Sequence, residues 1–138
     1  MIRVVLVDDH AVVREGLARL VDGSSDMEVV GTATDGGEAV AVVDRVQPDV
    51  VLMDLQMPGT DGVAATRALT ELGVAAQVLV LTSFSDEERI VAALDAGAVG
   101  YLLKDADADD VLDGIRAVSR GESPIHPPAA PAILGARP

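Results

Sequence analysis

The chain has 138 residues, about the length of one domain with a single hydrophobic core. Its formal net charge is −13, so the surface should repel nucleic acid phosphates and anionic membranes, and this chain alone should bind neither. The absence of cysteine excludes disulfides, thiol catalysis and thiolate metal sites, and it fits a reducing cytoplasm. The apolar run at residues 2–7 contains Arg3 and is too short for a signal peptide or a membrane span.

Short apolar runs predict the strands. They lie at residues 2–7, 50–53, 78–81 and 99–103, and polar residues bound each of them. Continuous runs of valine, leucine and isoleucine are typical of strands buried on both faces, as in a parallel sheet covered by helices. A further strand is predicted at residues 27–33.

Helical patterns alternate with these strands. Asp35 followed by Glu38 indicates an N-cap, so a helix is predicted over residues 39–46, where Pro48 then stops it. A capping box at residues 85–88 opens another helix, and glycines at 73 and 97 close two of them. The apolar positions that define the inward faces of the other helices are Val13, Leu17, Leu20 and Val21; Ala65, Leu69 and Leu72; Ile90, Ala93 and Leu94; and Val111, Leu112, Ile115 and Val118.

Five strands alternating with five helices predict an α/β fold. The expected architecture is a doubly wound, flavodoxin-like, five-stranded parallel sheet of order 2-1-3-4-5, with helices on both faces and right-handed crossovers. In such a sheet the carboxyl ends of all strands lie along one edge, where ligands bind.

Polar residues follow four of the predicted strands at this edge. They are Asp8 and Asp9, Asp54, Thr82 and Ser83, and Lys104. Three acids, hydroxyl groups and a lysine should therefore converge on one crevice. Because clustered carboxylates repel each other unless a cation is present, the pattern predicts a site that holds Mg²⁺ and a phosphoryl group on an aspartate.

This set of residues resembles the receiver domain of bacterial two-component response regulators. The resemblance covers roughly residues 1–120 and depends on the joint spacing of Asp8-Asp9, Asp54, Thr82-Ser83 and Tyr101-x-x-Lys104. Two further stretches are similar to the NarL/FixJ class, in which a DNA-binding helix-turn-helix domain follows the receiver. They are Asp8-Asp9-His10 with Arg14-Glu15-Gly16-Leu17, and Leu81-Thr82-Ser83-Phe84.

The resemblance implies a metal site and a phosphoacceptor. Asp54 is the expected nucleophile toward the phosphohistidine of a sensor histidine kinase, with Lys104 and Thr82 as its catalytic partners. Asp9 and Asp54 are expected to ligate Mg²⁺ directly and Asp8 through water, and the backbone carbonyl of Gln56 is expected as a further ligand.

The resemblance also implies phosphate-binding groups and a switch. Thr82, Lys104 and the backbone N–H groups of Gln56 and Ser83 are expected to bind the phosphoryl oxygens. Tyr101 is expected to turn inward when Thr82 shifts, which would remodel the face formed by the fourth helix, the fifth strand and the fifth helix. This remodelling is expected to promote a homodimer.

Residues 121–138 differ in composition from the rest of the chain. They contain five of the seven prolines and predict an extended linker after a receiver domain at residues 1–120. The helix-turn-helix output domain of a NarL/FixJ-like regulator would follow this linker and is absent from the chain. Binding to DNA is therefore expected through that domain alone, in the cytoplasm.

Other interpretations of the same residues stay open. Asp8 and Asp9 could be a solvated pair at a strand end, Lys104 a surface lysine, and Tyr101 and Phe84 ordinary packing residues; His10 is interpreted as a side chain on the pocket rim. The competing function is a Mg²⁺-dependent phosphohydrolase that works through an aspartyl-phosphate, and a third is a scaffold that needs no phosphorylation. A receiver would catalyse only its own phosphorylation and dephosphorylation.

Overall fold

The computed structural model describes residues 1–57, 61–82 and 87–122. Ser83, Phe84, the first half of the predicted capping box and linker residues 123–138 lie outside these ranges, so the predictions made for them stay untested. Within the described ranges, five strands alternate with five helices. The elements are β1 Ile2–Val7, α1 Ala11–Asp22, β2 Met27–Ala33, α2 Gly36–Val46, β3 Val50–Asp54, α3 Gly62–Leu72, β4 Gln77–Thr82, α4 Glu87–Ala96, β5 Gly100–Leu103 and α5 Ala108–Ser119.

The strands form one parallel sheet in the order β2-β1-β3-β4-β5. The predicted order is confirmed. β1 lies between β2 and β3, so the chain extends the sheet on one side of β1 with β2 and on the other side with β3, β4 and β5. In a sheet of this order the ligand crevice opens where the direction changes, between β1 and β3.

The two faces of the sheet carry separate hydrophobic cores. Successive side chains of a strand point to opposite faces. In β3, Val51 and Met53 therefore pack with α2, α3 and α4, whereas Val50 and Leu52 pack with α1 and α5. This is why the strands are continuous apolar runs, and it confirms the predicted helices on both faces.

Local signals explain where several helices begin and end. The Asp35 side chain accepts a hydrogen bond of 2.8 Å from the Glu38 backbone N–H, and α2 accordingly begins at Gly36 rather than at residue 39. Gly73 and Gly97 end α3 and α4 with φ angles of 70° and 120°, in the region that favours glycine.

Two residues on predicted inward faces are in fact exposed. Val13 is 42% exposed and Leu72 is 56% exposed. Val13 lies in the first turn of α1 and lines an open groove of about 330 Å³ between α1 and α5, while Leu72 is the last residue of α3. Helical periodicity gives the face of a side chain, but it does not indicate how far the neighbouring elements extend. Among the described residues, no helix has the length and apolarity needed to cross a bilayer.

Candidate functional site

The register of the sheet brings two of the predicted acids together. β1 and β3 pair with Val7 beside Met53, so the next residues, Asp8 and Asp54, reach the carboxyl edge at the same level. Both side chains are almost completely buried, at 1% and 0% exposed. Burying two neighbouring carboxylates is unfavourable unless other groups compensate for their charge.

The acids form a group that could hold a metal ion. Asp8, Asp9, His10 and Asp54 each offer one ligand atom, and these atoms lie within 4.8 Å of one another. Within the described part of the chain, Asp8 Oδ2, Asp9 Oδ1 and Asp54 Oδ2 are buried and accept no hydrogen bond. Because buried polar atoms are nearly always satisfied, three such carboxylate oxygens in one place fit a hard divalent cation, and an oxygen-rich donor set suits Mg²⁺.

Asp54 is held by two donors on one side of its carboxylate. Lys104 Nζ lies 3.0 Å from Asp54 Oδ1, and the Gln56 backbone N–H donates to the same oxygen at 3.1 Å. Burial raises the pKa of the Asp54 carboxyl above its usual value, because desolvation outweighs the opposing effects of Lys104 and of the Gln56 N–H. The lysine therefore offsets part of the unfavourable burial and leaves the other carboxylate oxygen available.

Thr82 and Tyr101 lie on the same face of neighbouring strands. Val80 pairs with Tyr101, and Thr82 follows Val80 by two residues, so its side chain is on the face that carries the tyrosine. Both residues are 0% exposed, and the Lys104 backbone N–H donates to the Thr82 carbonyl at 2.8 Å. Tyr101 thus holds the inward position that the resemblance associates with phosphorylation, and its expected motion stays a prediction.

Gly62 lets α3 approach the backbone at the end of β3. A Cβ at this position would meet the Asp54 carbonyl oxygen and the Leu55 Cα. The Asp61 side chain begins the helix by accepting a hydrogen bond of 2.9 Å from the Ala64 backbone N–H. The turn after Asp54 is therefore confined on one side by α3, next to the exposed Gln56 whose carbonyl is a predicted metal ligand.

Two arginines to which the sequence analysis assigned no role in the site also contact this edge. Arg14 in α1 donates to the Asp8 carbonyl at 2.9 Å, and Arg89 in α4 donates to the Leu55 carbonyl at 3.1 Å. Both acceptors are backbone atoms, so no side chain at the receiving position could have predicted the contacts. The two hydrogen bonds connect α1 and α4 to the backbone of residues next to predicted metal ligands.

The chain belongs to the response regulator receiver family, whose domain model, described as the response regulator receiver domain, matches residues 4–116. Among curated proteins, it is 43% identical over 134 residues to the transcriptional regulatory protein LiaR of Bacillus subtilis, covering 97% of this chain and 64% of LiaR. It is 44% identical over 126 residues to the response regulator protein VraR of Staphylococcus aureus, covering 91% of this chain and 60% of VraR.

Solved structures support the same class. A two-component response regulator of the LuxR family from Aurantimonas is 37% identical, with a TM-score of 0.90 over 96% of this chain and 95% of the other. The receiver domain of the putative response regulator NarL from Mycobacterium tuberculosis is 34% identical, with a TM-score of 0.84 over 88% of this chain and 98% of the other. The predicted receiver family and NarL/FixJ (LuxR-type) class are confirmed. The chain spans about 60% of the length of the curated relatives named above.

Proposed function

We propose that this receiver is a phosphorylation-controlled switch that accepts a phosphoryl group from a sensor histidine kinase on Asp54. One observation carries the proposal: the buried Asp54 carboxylate has one oxygen paired with Lys104 and the other without a hydrogen-bond partner among the described residues. Asp8 and Asp9 complete an acidic group beside it. This combination supplies a nucleophile, a fixed positive charge and a place for a divalent cation.

The transfer follows from these residues. A carboxylate oxygen of Asp54 attacks the phosphorus atom of the phosphohistidine, the P–N bond breaks with its electrons moving to the imidazole, and an acyl phosphate forms. The transition state is loose, so positioning and charge neutralisation supply most of the catalysis. Lys104 neutralises charge on the transferred group, and Thr82 and the backbone N–H groups of Gln56 and Ser83 bind its oxygens. Asp9, Asp54 and the Gln56 carbonyl would hold Mg²⁺, with Asp8 acting through water, and the ion would supply further positive charge.

The output is proposed to be control of transcription in the cytoplasm. The supporting facts are the names of the curated relatives, which include transcriptional regulatory proteins, and the share of those proteins that this chain covers. The receiver itself is strongly acidic and should not bind DNA. DNA binding would therefore belong to a helix-turn-helix domain beyond residues 121–138. The receiver would catalyse only its own phosphorylation and dephosphorylation.

The phosphoacceptor is tested by intact-mass spectrometry after incubation with acetyl phosphate and Mg²⁺. We expect one added phosphoryl group on the wild type and none on Asp54→Asn, which keeps the side-chain shape and removes the nucleophile. Asp26→Asn is the matched control, because Asp26 is bonded to Arg116 away from the acidic group, and it should be phosphorylated like the wild type. A labile adduct that persists in Asp54→Asn would assign the nucleophile to another residue. Multiple turnover of p-nitrophenyl phosphate by the wild type would instead favour the phosphohydrolase.

Phosphorylation is expected to promote a homodimer. The reason is that Thr82 and Tyr101 lie on one sheet face beneath α4, so that a shift of Thr82 toward the phosphoryl group changes the packing under a helical surface. Light scattering with and without beryllofluoride, a phosphoryl mimic, measures the mass, while Tyr101 fluorescence reports on the core. The mass should rise for the wild type and stay constant for Asp54→Asn. A monomeric mass for the wild type with beryllofluoride bound would contradict the dimer.

A further inference from the structure

His10 lies beside the acidic group and has no assigned role in it. The residue precedes α1, and its backbone N–H donates to Asp8 Oδ1 at 2.8 Å, which fixes the position of its Cα. Its side chain is 62% exposed, yet the ring nitrogen Nδ1 lies 3.3 Å from Asp8 Oδ1 and 3.2 Å from Asp9 Oδ1. The imidazole therefore lies at the exposed rim of the group, with Nδ1 near both acids.

Both contacts are within ion-pair distance, but the contact with Asp9 is not a hydrogen bond. Asp9 Oδ1 is buried and has no hydrogen-bond partner among the described residues, although the imidazole nitrogen is 3.2 Å away. The nitrogen and the oxygen are thus close without satisfying each other.

The same distances suit two atoms that bind one cation. In an octahedral site with metal–ligand distances of about 2.1 Å, neighbouring ligands lie about 3.0 Å apart and opposite ligands about 4.2 Å apart. His10 Nδ1, at 3.2 Å from Asp9 Oδ1, is close to the first of these distances. The ligand atoms of the whole group, including that of Asp54, lie within 4.8 Å of one another, a limit wider than the second distance, so the group would contract around an ion.

The buried acids supply an independent reason to expect a cation here. Asp8 and Asp54 are 1% and 0% exposed, and each keeps one oxygen without a hydrogen-bond partner in the described ranges. An all-oxygen group would suit Mg²⁺, which prefers oxygen ligands and keeps several waters. An added imidazole instead favours first-row transition metals, and Ni²⁺ stands above Mn²⁺ and Co²⁺ in the usual order of affinity.

We propose that His10 Nδ1 is a metal ligand of this site and that the site binds Ni²⁺ and similar transition metals in competition with Mg²⁺. The inference rests on the metal site of the proposed function and adds a nitrogen ligand to it. A transition metal bound in this way would take the place of Mg²⁺ beside Asp54, with His10 as an additional ligand.

Isothermal titration of the purified chain with Ni²⁺, Mn²⁺ and Mg²⁺ tests the proposal. Removing a ligand should weaken Ni²⁺ binding in His10→Ala by about 10-fold to 100-fold, Mn²⁺ binding by less, and Mg²⁺ binding hardly at all. His126→Ala is the matched control, since it removes the other histidine of the chain, and it should bind all three ions like the wild type. His10→Ala should fold normally, because the His10 side chain makes no capping hydrogen bond to α1.

Electron spin echo spectroscopy of bound Mn²⁺ gives a direct readout of the ligand. Coupling to imidazole nitrogen should be present in the wild type and in His126→Ala and absent in His10→Ala. If Asp9→Ala weakens Mg²⁺ binding while His10→Ala leaves Ni²⁺ affinity and the nitrogen coupling unchanged, the role of His10 is overturned and the proposed function stands. If Asp9→Ala and Asp54→Asn weaken neither ion, the metal site itself is wrong, and the role of His10 fails with it.

Discussion

The acidic residues at the two edges of the sheet differ in how fully their carboxylate oxygens are hydrogen-bonded. At the amino edge, before β2, the Asp26 carboxylate accepts hydrogen bonds of 2.7 and 3.2 Å from the Arg116 guanidinium. Asp49, before β3, accepts a bond of 2.8 Å from the Arg3 backbone N–H. At the carboxyl edge, Asp8 and Asp54 are buried, and each keeps an oxygen without a partner among the described residues.

The pKa shifts at the two edges show what this difference means. The Arg116 guanidinium lowers the pKa of Asp26, whereas burial raises the pKa of Asp54. The ionised form of Asp26 is therefore more favourable in the folded chain than in the unfolded chain, and the ionised form of Asp54 is less favourable. Ion pairing at one edge supports the fold, and the other edge keeps a set of groups that a ligand can still satisfy.

The largest expected effect is that of Mg²⁺ on the carboxyl edge. At about 100 times its dissociation constant, a ligand of the native state stabilises it by roughly 2.7 kcal/mol. Thermal melts with and without millimolar Mg²⁺ should show this shift for the wild type, little shift for Asp9→Ala, and a full shift for the control Asp26→Asn. If Mg²⁺ does not change the melting temperature of the wild type, the predicted cation site is wrong.

The same substitution should change stability in opposite directions at the two edges. Without metal, Asp54→Asn should raise the free energy of unfolding by about 1–2 kcal/mol, because it removes a buried charge and Lys104, at 29% exposed, can turn to solvent. Asp26→Asn should lower it, because the bonds from Arg116 weaken. Denaturant unfolding of both variants measures the two signs. Two changes of the same sign would remove the contrast between the edges.

The stability lost in Asp26→Asn should depend on pH. Since Arg116 lowers the pKa of Asp26 in the folded chain, the contribution of this carboxylate is fully present above its unfolded-state pKa and disappears as the pH falls through the folded-state pKa. The difference between the wild type and Asp26→Asn should therefore be present at neutral pH and vanish at strongly acidic pH.

The smallest expected effect is that of Tyr101→Phe. Burial raises the pKa of the Tyr101 hydroxyl, which has no hydrogen-bond partner in the described ranges. Removing a buried, unsatisfied hydroxyl should leave stability unchanged or raise it by about 1 kcal/mol or less. Denaturant unfolding of the Tyr101→Phe variant checks this. A marked loss of stability would show that the hydroxyl is bonded in solution, and the tyrosine would then resemble the satisfied polar groups of the amino edge.

The fold could be predicted because nearly every strand is a short apolar run bounded by polar residues. Val50 to Met53 had to be buried on both faces, and a parallel sheet brings the residue after each strand to one edge, so Asp54 and Lys104 could be expected to meet. Their separation of 3.0 Å follows from tertiary packing, as does the shift in the pKa of Asp54. The bonds from Arg14 and Arg89 end on backbone carbonyls, which every residue carries, so no sequence pattern could reveal them.

The hydrogen bond from Arg89 to the Leu55 carbonyl connects α4 to the acidic site, so that binding events at the two places can be coupled. Arg89 lies in the first turn of α4, and Leu55 directly follows Asp54, the proposed phosphoacceptor. A protein that binds α4 more tightly when the site is filled must, by reciprocity, raise the affinity of the site for its ligand by the same factor. A partner that contacts this helix would thus change how tightly the site holds its ligand as well as respond to it.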